Sequence, residues 1–376
     1  MSVVFRELLR KVGSGSHTSE NLTRAEAATA TEMMLRQEAT PAQIGAFMIA
    51  HRIKRPTGEE LAGILDAYDR LGPKLQGFSS AYPAVVLGIP YDGRSRTAPI
   101  SPITALILTA AGCPVVMHGG RRMPTKEGVP LAEVWQGLGV DWTHLSLEQV
   151  QQVFERTCLG FVYLPQHFPY AEAMVTYREE LGKRPPFATA ELFWCPYEGD
   201  FLMISGFVHP PTEDMARSAF SLRGTQRLIT VKGLEGSCDL PRDRTCIIGI
   251  KQPGIKQPGI KQPGINQPNA DAESDRLLLH PRDYGFAAPE LSLSTLEQLQ
   301  IDLQAALQGK TGEMLESAVW NGGVYLWQAG VCSNLEAGLE QARAMLGDGR
   351  VAAHWAEVVE AIAGVTAAEF TPAAIG

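Results

Sequence analysis

Five short runs rich in β-branched residues follow one another along the chain, and most of them end in glycine or proline. Helix-like stretches separate most of these runs, which is the pattern of a largely parallel sheet covered by helices. The chain has 376 residues, which favours about two domains. The runs are AVVLGI (84–89), PVVMHGG (114–120), GFVYLP (160–165), LITVKG (228–233) and CIIGI (246–250).

Helix signals fill the part of the chain that precedes these runs. A threonine stands at each expected helix start, followed by a residue that completes a capping box or by a proline at the first helical position. Gly72 ends the last of these helices. The pairs are Thr23 with Glu26, Thr40 with Pro41, and Thr57 with Glu60.

The composition is that of a soluble globular protein, with 45% hydrophobic residues, 20% charged residues and a formal net charge of −8. This charge argues against a surface that generally coats nucleic acid, but not against a local basic groove.

The six cysteines show no Cys-x-x-Cys pair and no zinc-type spacing with histidine, so we expect reduced thiols in a cytoplasmic protein. The N-terminus has no signal-peptide core, and the most apolar run (102–117) is too short and broken to span a bilayer.

A five-residue unit, Ile-Lys-Gln-Pro-Gly, repeats between residues 249 and 269. Proline and glycine recur too often for a helix or a central strand, and the isoleucines are too sparse to build a core. We interpret the segment as an exposed loop that was lengthened by tandem duplication and has no function of its own. The alternative is that Lys251, Lys256 and Lys261 add to a basic patch.

Three glycine-containing loops follow strands of the expected sheet, at the edge where ligands bind in α/β folds. The first two carry more basic than acidic residues, which suits a phosphorylated ligand. The third carries Glu235 and Asp239, whose hard oxygen atoms suit Mg²⁺ that bridges phosphates. The loops read LGIPYDGRSRT (87–97), HGGRRMPTKEG (118–128) and KGLEGSCD (232–239).

In this order, the motifs resemble those of the anthranilate phosphoribosyltransferase family of glycosyltransferases. The resemblance is strongest over LTRAEAATATEMMLRQEATPAQIGAFMIAHRIKRPTGEELAG (22–63) and continues through HGGRR, YREELGKRPPF and VKGLEGSCDLP. It implies a small helical domain and a larger α/β domain with a mostly parallel sheet, a fold of the nucleoside phosphorylase and phosphoribosyltransferase type. It also implies binding of phosphoribosyl pyrophosphate (PRPP) with Mg²⁺ in the interdomain cleft, and pentosyl transfer to an amine with release of pyrophosphate.

The resemblance also implies the domain boundaries. The helical domain comprises residues 1–76 with about 166–186, and the α/β domain comprises 77–165 and 187–376, with the repeat inserted in a surface loop. Family members dimerise through the helical domain, so we expect a homodimer. An apolar helix face formed by Ile44, Phe47 and Met48 fits such an interface, and it equally fits the chain's own core.

Site residues follow from the resemblance by position. Arg178 matches the arginine that holds the carboxylate of anthranilate, and the family's acidic pair for Mg²⁺ falls on Cys238 and Asp239. From the chemistry of the third loop, Glu235 with Asp239 would hold Mg²⁺. No catalytic residue is assigned. The positions that would bind phosphate or substrate are Gly88, Asp92, Gly93, Thr97, Ser101, His118, Gly119, Arg121 and Lys126.

The phosphate motifs depart from the family pattern. The family's Gly-Thr-Gly-Gly-Asp loop reads Gly-Ile-Pro-Tyr-Asp here, so Pro90 and Tyr91 remove an amide donor and block close approach of the backbone. The family's Lys-His-Gly-Asn motif is Met-His-Gly-Gly (117–120) in this chain. Cys238 stands in place of one member of the acidic pair that binds Mg²⁺ in the family. The pattern resembles a divergent second branch of the family, and we expect an activity that is related or lost.

Each site residue also has a purely structural interpretation, as part of an ion pair, a hydrogen bond or a solvated surface. Cys238 is then a buried, inert thiol. The other structural interpretations are a pairing of Arg178 with Glu179 or Glu180, a solvated Lys126, a hydrogen-bonded His118, and pairing of Glu235 and Asp239 with Lys232, Arg242 or Arg244.

A nucleic-acid-binding protein on the same fold is the rival functional hypothesis, because some members of the divergent branch bind nucleic acid. Between Met215 and Ile265, nine basic residues oppose three acidic ones. Such an excess is typical of a surface that contacts phosphates, and also of a solvated face that balances acidic helices elsewhere. The nine residues are Arg217, Arg223, Arg227, Lys232, Arg242, Arg244, Lys251, Lys256 and Lys261.

Overall fold

The computed structural model describes residues 3–15, 17–252 and 275–368. The expectations for most of the repeat, including Lys256 and Lys261, lie outside the described residues. The chain forms a helical domain and an α/β domain with a mostly parallel sheet, as predicted.

Four helices build the N-terminal part of the helical domain. Thr23, Thr40 and Thr57 are the N-caps of the second, third and fourth helix, and each forms a capping box with the residue three positions later. The fourth helix ends before Gly72, as predicted. The helices are α1 (Val3–Gly13), α2 (Arg24–Leu35), α3 (Pro41–Lys54) and α4 (Gly58–Leu71).

A seven-stranded sheet forms the centre of the α/β domain. The strand order is β4-β3-β2-β6-β7-β8-β9, and a separate pair joins β1 to β5. In the parallel part, Val86 lies beside Val116 on one side and Met203 on the other. The strands are β1 (Leu75–Gln76), β2 (Ala84–Gly88), β3 (Val115–Gly119), β4 (Leu159–Tyr163), β5 (Tyr197–Glu198), β6 (Phe201–Gly206), β7 (Leu228–Val231), β8 (Cys246–Lys251) and β9 (Asp275–Leu279).

The sheet differs from the sequence prediction in two strands, β6 and β9, that were not predicted, and in the direction of β8. The central strand β6 was not predicted, because its sequence FLMISG contains a single β-branched residue, Ile204. The run CIIGI does form a strand, β8, but it is antiparallel to β7 and to β9. The connection from β7 to β8 contains a short 3₁₀ turn (Leu234–Gly236) in place of a crossover helix, and parallel strands require a crossover.

Helices separate the parallel strands along the chain, as the crossover connections of a parallel sheet require. The last four helices of the described chain pack on the α/β domain, where α14 contacts α5 and α16 contacts α7. The helices between β2 and β7 are α5 (Ser101–Ala110), α6 (Leu131–Gly137), α7 (Leu147–Thr157), α8 (Leu164–His167), α9 (Pro169–Glu172), α10 (Val175–Leu181), α11 (Phe187–Ala190) and α12 (Pro210–Leu222). The last four are α13 (Leu296–Leu307), α14 (Glu313–Gln328), α15 (Leu335–Gly347) and α16 (Arg350–Ala368).

The segment that contains α8 to α10 returns to the helical domain, where α10 contacts α3. Ile44, Phe47 and Met48 on α3 are all buried within one chain, so the apolar face they form is core. No helix of the described residues is long and apolar enough to cross a bilayer.

Candidate functional site

The three glycine-containing loops lie together at one edge of the sheet, where β2, β3 and β7 end. We call them the β2 loop (89–100), the β3 loop (120–130) and the β7 loop (232–245). The β2 and β3 loops cross at Gly93 and Gly128, where a side chain on either glycine would come within 2.6 or 2.7 Å of backbone atoms of the other loop. Gly93 also has a φ of +74°, which favours glycine.

The β2 loop is pinned to the β7 loop through Glu235. Its carboxylate accepts hydrogen bonds from the backbone N–H groups of Ser95 (3.3 Å), Arg96 (3.0 Å) and Thr97 (2.9 Å). Lys126 Nζ lies 2.5 Å from the same carboxylate. Burial alone would raise the pKa of Glu235, but the hydrogen bonds from Lys126 and from the backbone of Thr97 and Arg96 lower it well below its ordinary value. Three consecutive loop amides therefore bind an internal anion.

Arg94, another residue of the β2 loop, lies between the two acidic residues of the β7 loop. Its side chain is 2% exposed. Nη1 donates to Asp239 Oδ2 at 2.6 Å and to Ser237 Oγ at 2.7 Å, and Nη2 donates to the hydroxyl of Thr97. Nε lies 3.5 Å from Glu235 Oε1. Sequence reasoning counted Arg94 as one of several loop cations and assigned it no partner.

These contacts decide whether Glu235 and Asp239 fit a magnesium ion. Both supply the oxygen atoms that Mg²⁺ prefers, but the ion needs near-octahedral oxygen coordination at about 2.0–2.1 Å. A guanidinium nitrogen 2.6 Å from Asp239 Oδ2 fills that space. The residues present therefore do not fit an ion held between these two carboxylates, and the structure does not support their assignment as metal ligands.

The same two carboxylates are also not surface partners of Lys232, Arg242 or Arg244, which was the structural alternative. Asp239 is 1% exposed and bonds to the β2 loop. Arg242 instead pairs with Glu313, and Arg244 pairs with Asp243. No cluster of three or more potential metal-ligating side chains occurs within residues 3–15, 17–252 and 275–368.

Cys238 is buried, and burial raises the pKa of its thiol well above the ordinary value, in agreement with the inert interpretation.

The expected phosphate residues of the β2 loop are engaged or enclosed. A side chain on Gly88 would lie 2.0 Å from the backbone oxygen of Leu192, so the end of β2 faces protein. Asp92 is 5% exposed and lies 3.6 Å from Arg184. Ser101, the first residue of α5, has a buried hydroxyl without a hydrogen-bond partner among the described residues.

The β3 side of the site combines a buried histidine with an exposed rim. His118 is fully buried, contacts the hydroxyl of Tyr91 and packs edge-on against Trp194 with ring centroids 5.2 Å apart. Burial lowers the pKa of His118 to about 3, so the ring is neutral at pH 7, which agrees with its structural interpretation. Gly119 is buried at the end of β3, and Arg121 is half exposed with Nε 2.6 Å from Glu172.

Arg178 lies on α10 and is 2% exposed. Nη1 lies 3.2 Å from Glu191, whereas Glu179 and Glu180, the partners considered from the sequence, are exposed. Nε and Nη2 of Arg178 are buried and have no hydrogen-bond partner in the part of the chain that the structure describes. These two atoms form one edge of the guanidinium, and that edge matches the two oxygen atoms of a carboxylate.

Glu191 is the second site residue that sequence reasoning missed. It is 7% exposed, and burial raises the pKa of its carboxyl while Arg178 and Arg184 oppose this effect. It follows the short helix α11 and bonds to an arginine thirteen residues earlier. No motif marks such a contact, because it depends on how the segment after α10 folds back.

Among the described residues of the basic stretch (215–252), several arginines pair with acids from other parts of the fold. Arg223 pairs with Asp66 and Asp69 of α4, and Arg227 pairs with Asp200. Arg242 likewise pairs with Glu313, whereas Arg244 pairs with Asp243 of the same stretch, so these contacts offset part of the charge excess seen in the sequence. Lys232 is exposed. Nothing in the described residues favours nucleic acid at this surface, and the rival hypothesis stays a prediction.

Two family models match the chain. One, described as "Glycosyl transferase family, helical bundle domain", matches residues 6–72. The other, described as "Glycosyl transferase family, a/b domain", matches residues 92–233. The two matched regions together cover more than half of the chain and correspond to its two domains.

Two similar proteins extend this match over most of the length. The chain is 27% identical over 330 residues to the anthranilate phosphoribosyltransferase of Verminephrobacter eiseniae (strain EF01-2), covering 87% of this chain and 90% of that protein. It is 28% identical over 323 residues to an uncharacterized protein of Aquifex aeolicus (strain VF5), covering 85% and 92%.

Two solved structures share the fold. Anthranilate phosphoribosyltransferase from Thermus thermophilus superposes with a TM-score of 0.76 at 18% identity, covering 96% of this chain and 100% of that one. The enzyme from Saccharomyces cerevisiae in complex with PRPP and Mg superposes with a TM-score of 0.78 at 14% identity, covering 97% and 99%. By its two matched domains and this fold, the chain belongs to the glycosyl transferase family that contains anthranilate phosphoribosyltransferases, and it is anthranilate phosphoribosyltransferase-like.

Proposed function

We propose that the chain is a pentosyltransferase-like protein whose cleft binds a carboxylate-bearing acceptor at Arg178 and a phosphoribosyl ligand beside the β2 and β3 loops. The observation that carries the proposal is the buried edge of Arg178. Its Nε and Nη2 have no partner among the described residues, although buried donors without partners each cost about 1–3 kcal/mol. A ligand carboxylate would satisfy both donors at once.

The resemblance to anthranilate phosphoribosyltransferases supports the same ligand class. Anthranilate is a planar amine with an adjacent carboxylate, and the resemblance of the YREELG motif to the family implies that Arg178 corresponds to the arginine that holds this carboxylate. Glu191 supports this role by fixing the opposite side of the guanidinium through Nη1. The side chain of Arg178 is therefore oriented before a ligand arrives, which lowers the entropy cost of binding.

The phosphoribosyl part of the proposal rests on the family and on the cations around the strand ends. The β2 and β3 loops carry the cations Arg96, Arg121 and Lys126. Lys126 and the amides of the β2 loop, however, bind Glu235 in this structure. A phosphorylated ligand must compete with these internal contacts, so its binding is weak. Magnesium, which is present with PRPP in the yeast structure, enters as a counter-ion of the ligand's pyrophosphate, because Arg94 lies between Glu235 and Asp239.

In the reaction that the family implies, the acceptor amine attacks C1 of the ribosyl group. The bond between C1 and the pyrophosphate oxygen breaks, the electron pair leaves with pyrophosphate, and the amine loses a proton. In this chain Arg178 would hold the acceptor in place, and positioning would supply most of the rate. Because the β2 loop is occupied by internal contacts, we expect transfer to be slow or absent.

The proposal is tested by calorimetric titration of the full chain with anthranilate, in wild type and in Arg178→Met. Loss of the bidentate contact is expected to weaken binding at least about tenfold, since charge-assisted hydrogen bonds contribute about 1.5–3 kcal/mol each. Arg178→Lys keeps the charge and removes the planar fork, so it should also bind weakly.

Arg122→Met is the matched control. Arg122 is half exposed on the neighbouring loop and pairs with Glu133, so its loss removes one positive charge without touching the cleft. Anthranilate affinity should be unchanged in this control. Equal affinity of wild type and both Arg178 variants would refute the acceptor site.

The helical domain also offers a surface for a second copy of the chain. Ile53 of α3 is 71% exposed and borders a depression of 680 Å³. The depression is lined by apolar side chains of α1, α3 and α10, among them Val12, Ile49 and Leu181. A homodimer through this depression would bury Ile53. The face formed by Ile44, Phe47 and Met48, which the sequence also offered as an interface, is core and is not available for a partner.

A further inference from the structure

The guanidinium of Arg94 is placed as a metal ion would be, between two acidic side chains that would otherwise repel each other. Asp239 and Glu235 are 1% and 3% exposed, and both belong to the β7 loop. Nη1 of Arg94 lies 2.6 Å from Asp239, and Nε lies 3.5 Å from Glu235. Without Arg94, the nearly buried Asp239 would have no cation and Glu235 would depend on Lys126, at high electrostatic cost.

The remaining donors of Arg94 are also used, so the side chain is fixed in this place. Nη1 donates to Ser237 Oγ at 2.7 Å, and Nη2 donates to Thr97. The backbone N–H of Ile100 donates to the same Asp239 oxygen at 3.1 Å. Two donors of the β2 loop thus bind Oδ2 of Asp239.

Glu235 is likewise saturated by donors of the protein. It accepts from three loop amides, from the Thr97 hydroxyl at 2.9 Å and from Lys126 at 2.5 Å. Glu235 has a φ of +52°, a conformation that non-glycine residues seldom adopt, and these bonds hold it there. A divalent ion would have to break several of these contacts before it reached either carboxylate.

We propose that Arg94 is a resident cation that replaces a divalent metal at the Glu235–Asp239 pair, so that the chain binds no metal at this position. The positive charge is covalently part of the β2 loop. It neutralises Asp239, shares Glu235 with Lys126, and closes the β2 loop onto the β7 loop whether or not a ligand or metal is present. This inference does not depend on the acceptor role of Arg178, which lies at a different part of the cleft.

The test uses Mn²⁺ alone as a probe, because its binding is read directly from the loss of the free-ion electron paramagnetic resonance signal. Wild-type full-length chain and Asp239→Asn should bind Mn²⁺ equally weakly at up to about millimolar concentration, since neither offers the carboxylate pair to a metal. Arg94→Ala uncovers Asp239, although Lys126 still covers Glu235, and should gain one Mn²⁺ site at least tenfold tighter than any site of wild type. The double variant with Asp239→Asn should lose that site.

Arg94→Lys is the matched control, because it keeps a positive charge in the loop. It should not gain the Mn²⁺ site, although it loses the planar contacts of the guanidinium. If Arg94→Ala is unstable alone, Mn²⁺ should raise its melting temperature and leave that of Arg94→Lys unchanged.

Two results would overturn the proposal. One is Mn²⁺ binding by wild type that Asp239→Asn abolishes, since this would show that the pair holds a metal while Arg94 is present. The other is a failure of Arg94→Ala to gain either Mn²⁺ binding or Mn²⁺-dependent stability. Neither result would change the anthranilate titration of Arg178 variants, so failure of this inference is distinct from failure of the proposed function.

Discussion

Glu60 shows how single charged residues are used within the helical domain. Its carboxylate has no exposure and lies 2.8 Å from Lys54 Nζ and 3.4 Å from His51 Nε2. It also accepts from the backbone N–H of Thr57, which completes the capping box of α4, and from that of Leu22. One side chain therefore caps a helix, neutralises a lysine and joins two segments of the domain.

These contacts make Glu60 a source of pH-dependent stability. Burial raises its pKa, but hydrogen bonds and charge interactions with His51 and Lys54 outweigh burial and lower the pKa to about 2. A carboxyl with a lowered folded pKa stabilises the protein above its unfolded pKa, and this stabilisation disappears as pH falls through the folded value. We expect Glu60→Gln to destabilise the protein at pH 7 by roughly 2–3 kcal/mol.

Denaturant unfolding of both proteins between pH 7 and pH 3 checks this prediction. The difference in unfolding free energy between wild type and Glu60→Gln should shrink as pH falls below about 4.5. Glu38→Gln, an exposed change in the same domain, should show no such pH-dependent difference. A destabilisation by Glu60→Gln that is constant across this range would contradict the account.

At the scale of elements, local signals were sufficient for some parts of the fold. The caps Thr23, Thr40 and Thr57 were predicted because a capping box lies within four residues of sequence. The strand ends that bring the β2, β3 and β7 loops together were predicted because parallel strands end at one edge. Strand β6 and the antiparallel direction of β8 were missed, since neither depends on a local pattern.

The candidate site could be located from sequence, but its internal pairing could not. The loops and their charges are visible in the chain, whereas Arg94 and Asp239 are 145 residues apart. Arg178 was identified, but its partner Glu191 depends on the path of the chain after α10. A resemblance to a family indicates which positions of the chain belong to the site. It does not indicate which residues pair with one another where the chain departs from the family, and those contacts are seen only in the structure.

At the scale of the whole molecule, ion pairs join the two domains. Arg223, at the end of α12, bonds to Asp66 and Asp69 of α4, and Arg24 of α2 donates to the backbone oxygen of Leu222. Arg223, one arginine of the basic stretch, therefore helps to join the two domains. Any nucleic-acid binding must use cations outside these pairs, such as Lys232.

The homodimer proposal predicts that sedimentation velocity at micromolar concentration gives a dimer. Ile53→Glu should convert it to a monomer, because a charge would be placed in an apolar interface. Ile301→Glu is the matched control, since Ile301 is 59% exposed on α13, a helix that packs against α14 and α6. A wild-type monomer at this concentration would rule out the interface.

The central claim is that the cleft at the ends of β2 and β3 remains a ligand site although its phosphate loop is held by internal contacts. The most direct measurement is the melting temperature of the full chain as a function of PRPP with Mg²⁺. A ligand that binds only the folded state stabilises it by RT ln(1 + [L]/Kd), about 2.7 kcal/mol at a hundred times Kd. We predict a rise that begins at millimolar PRPP, is absent at micromolar PRPP, and persists in Arg178→Met. An unchanged melting temperature at millimolar PRPP would contradict the account.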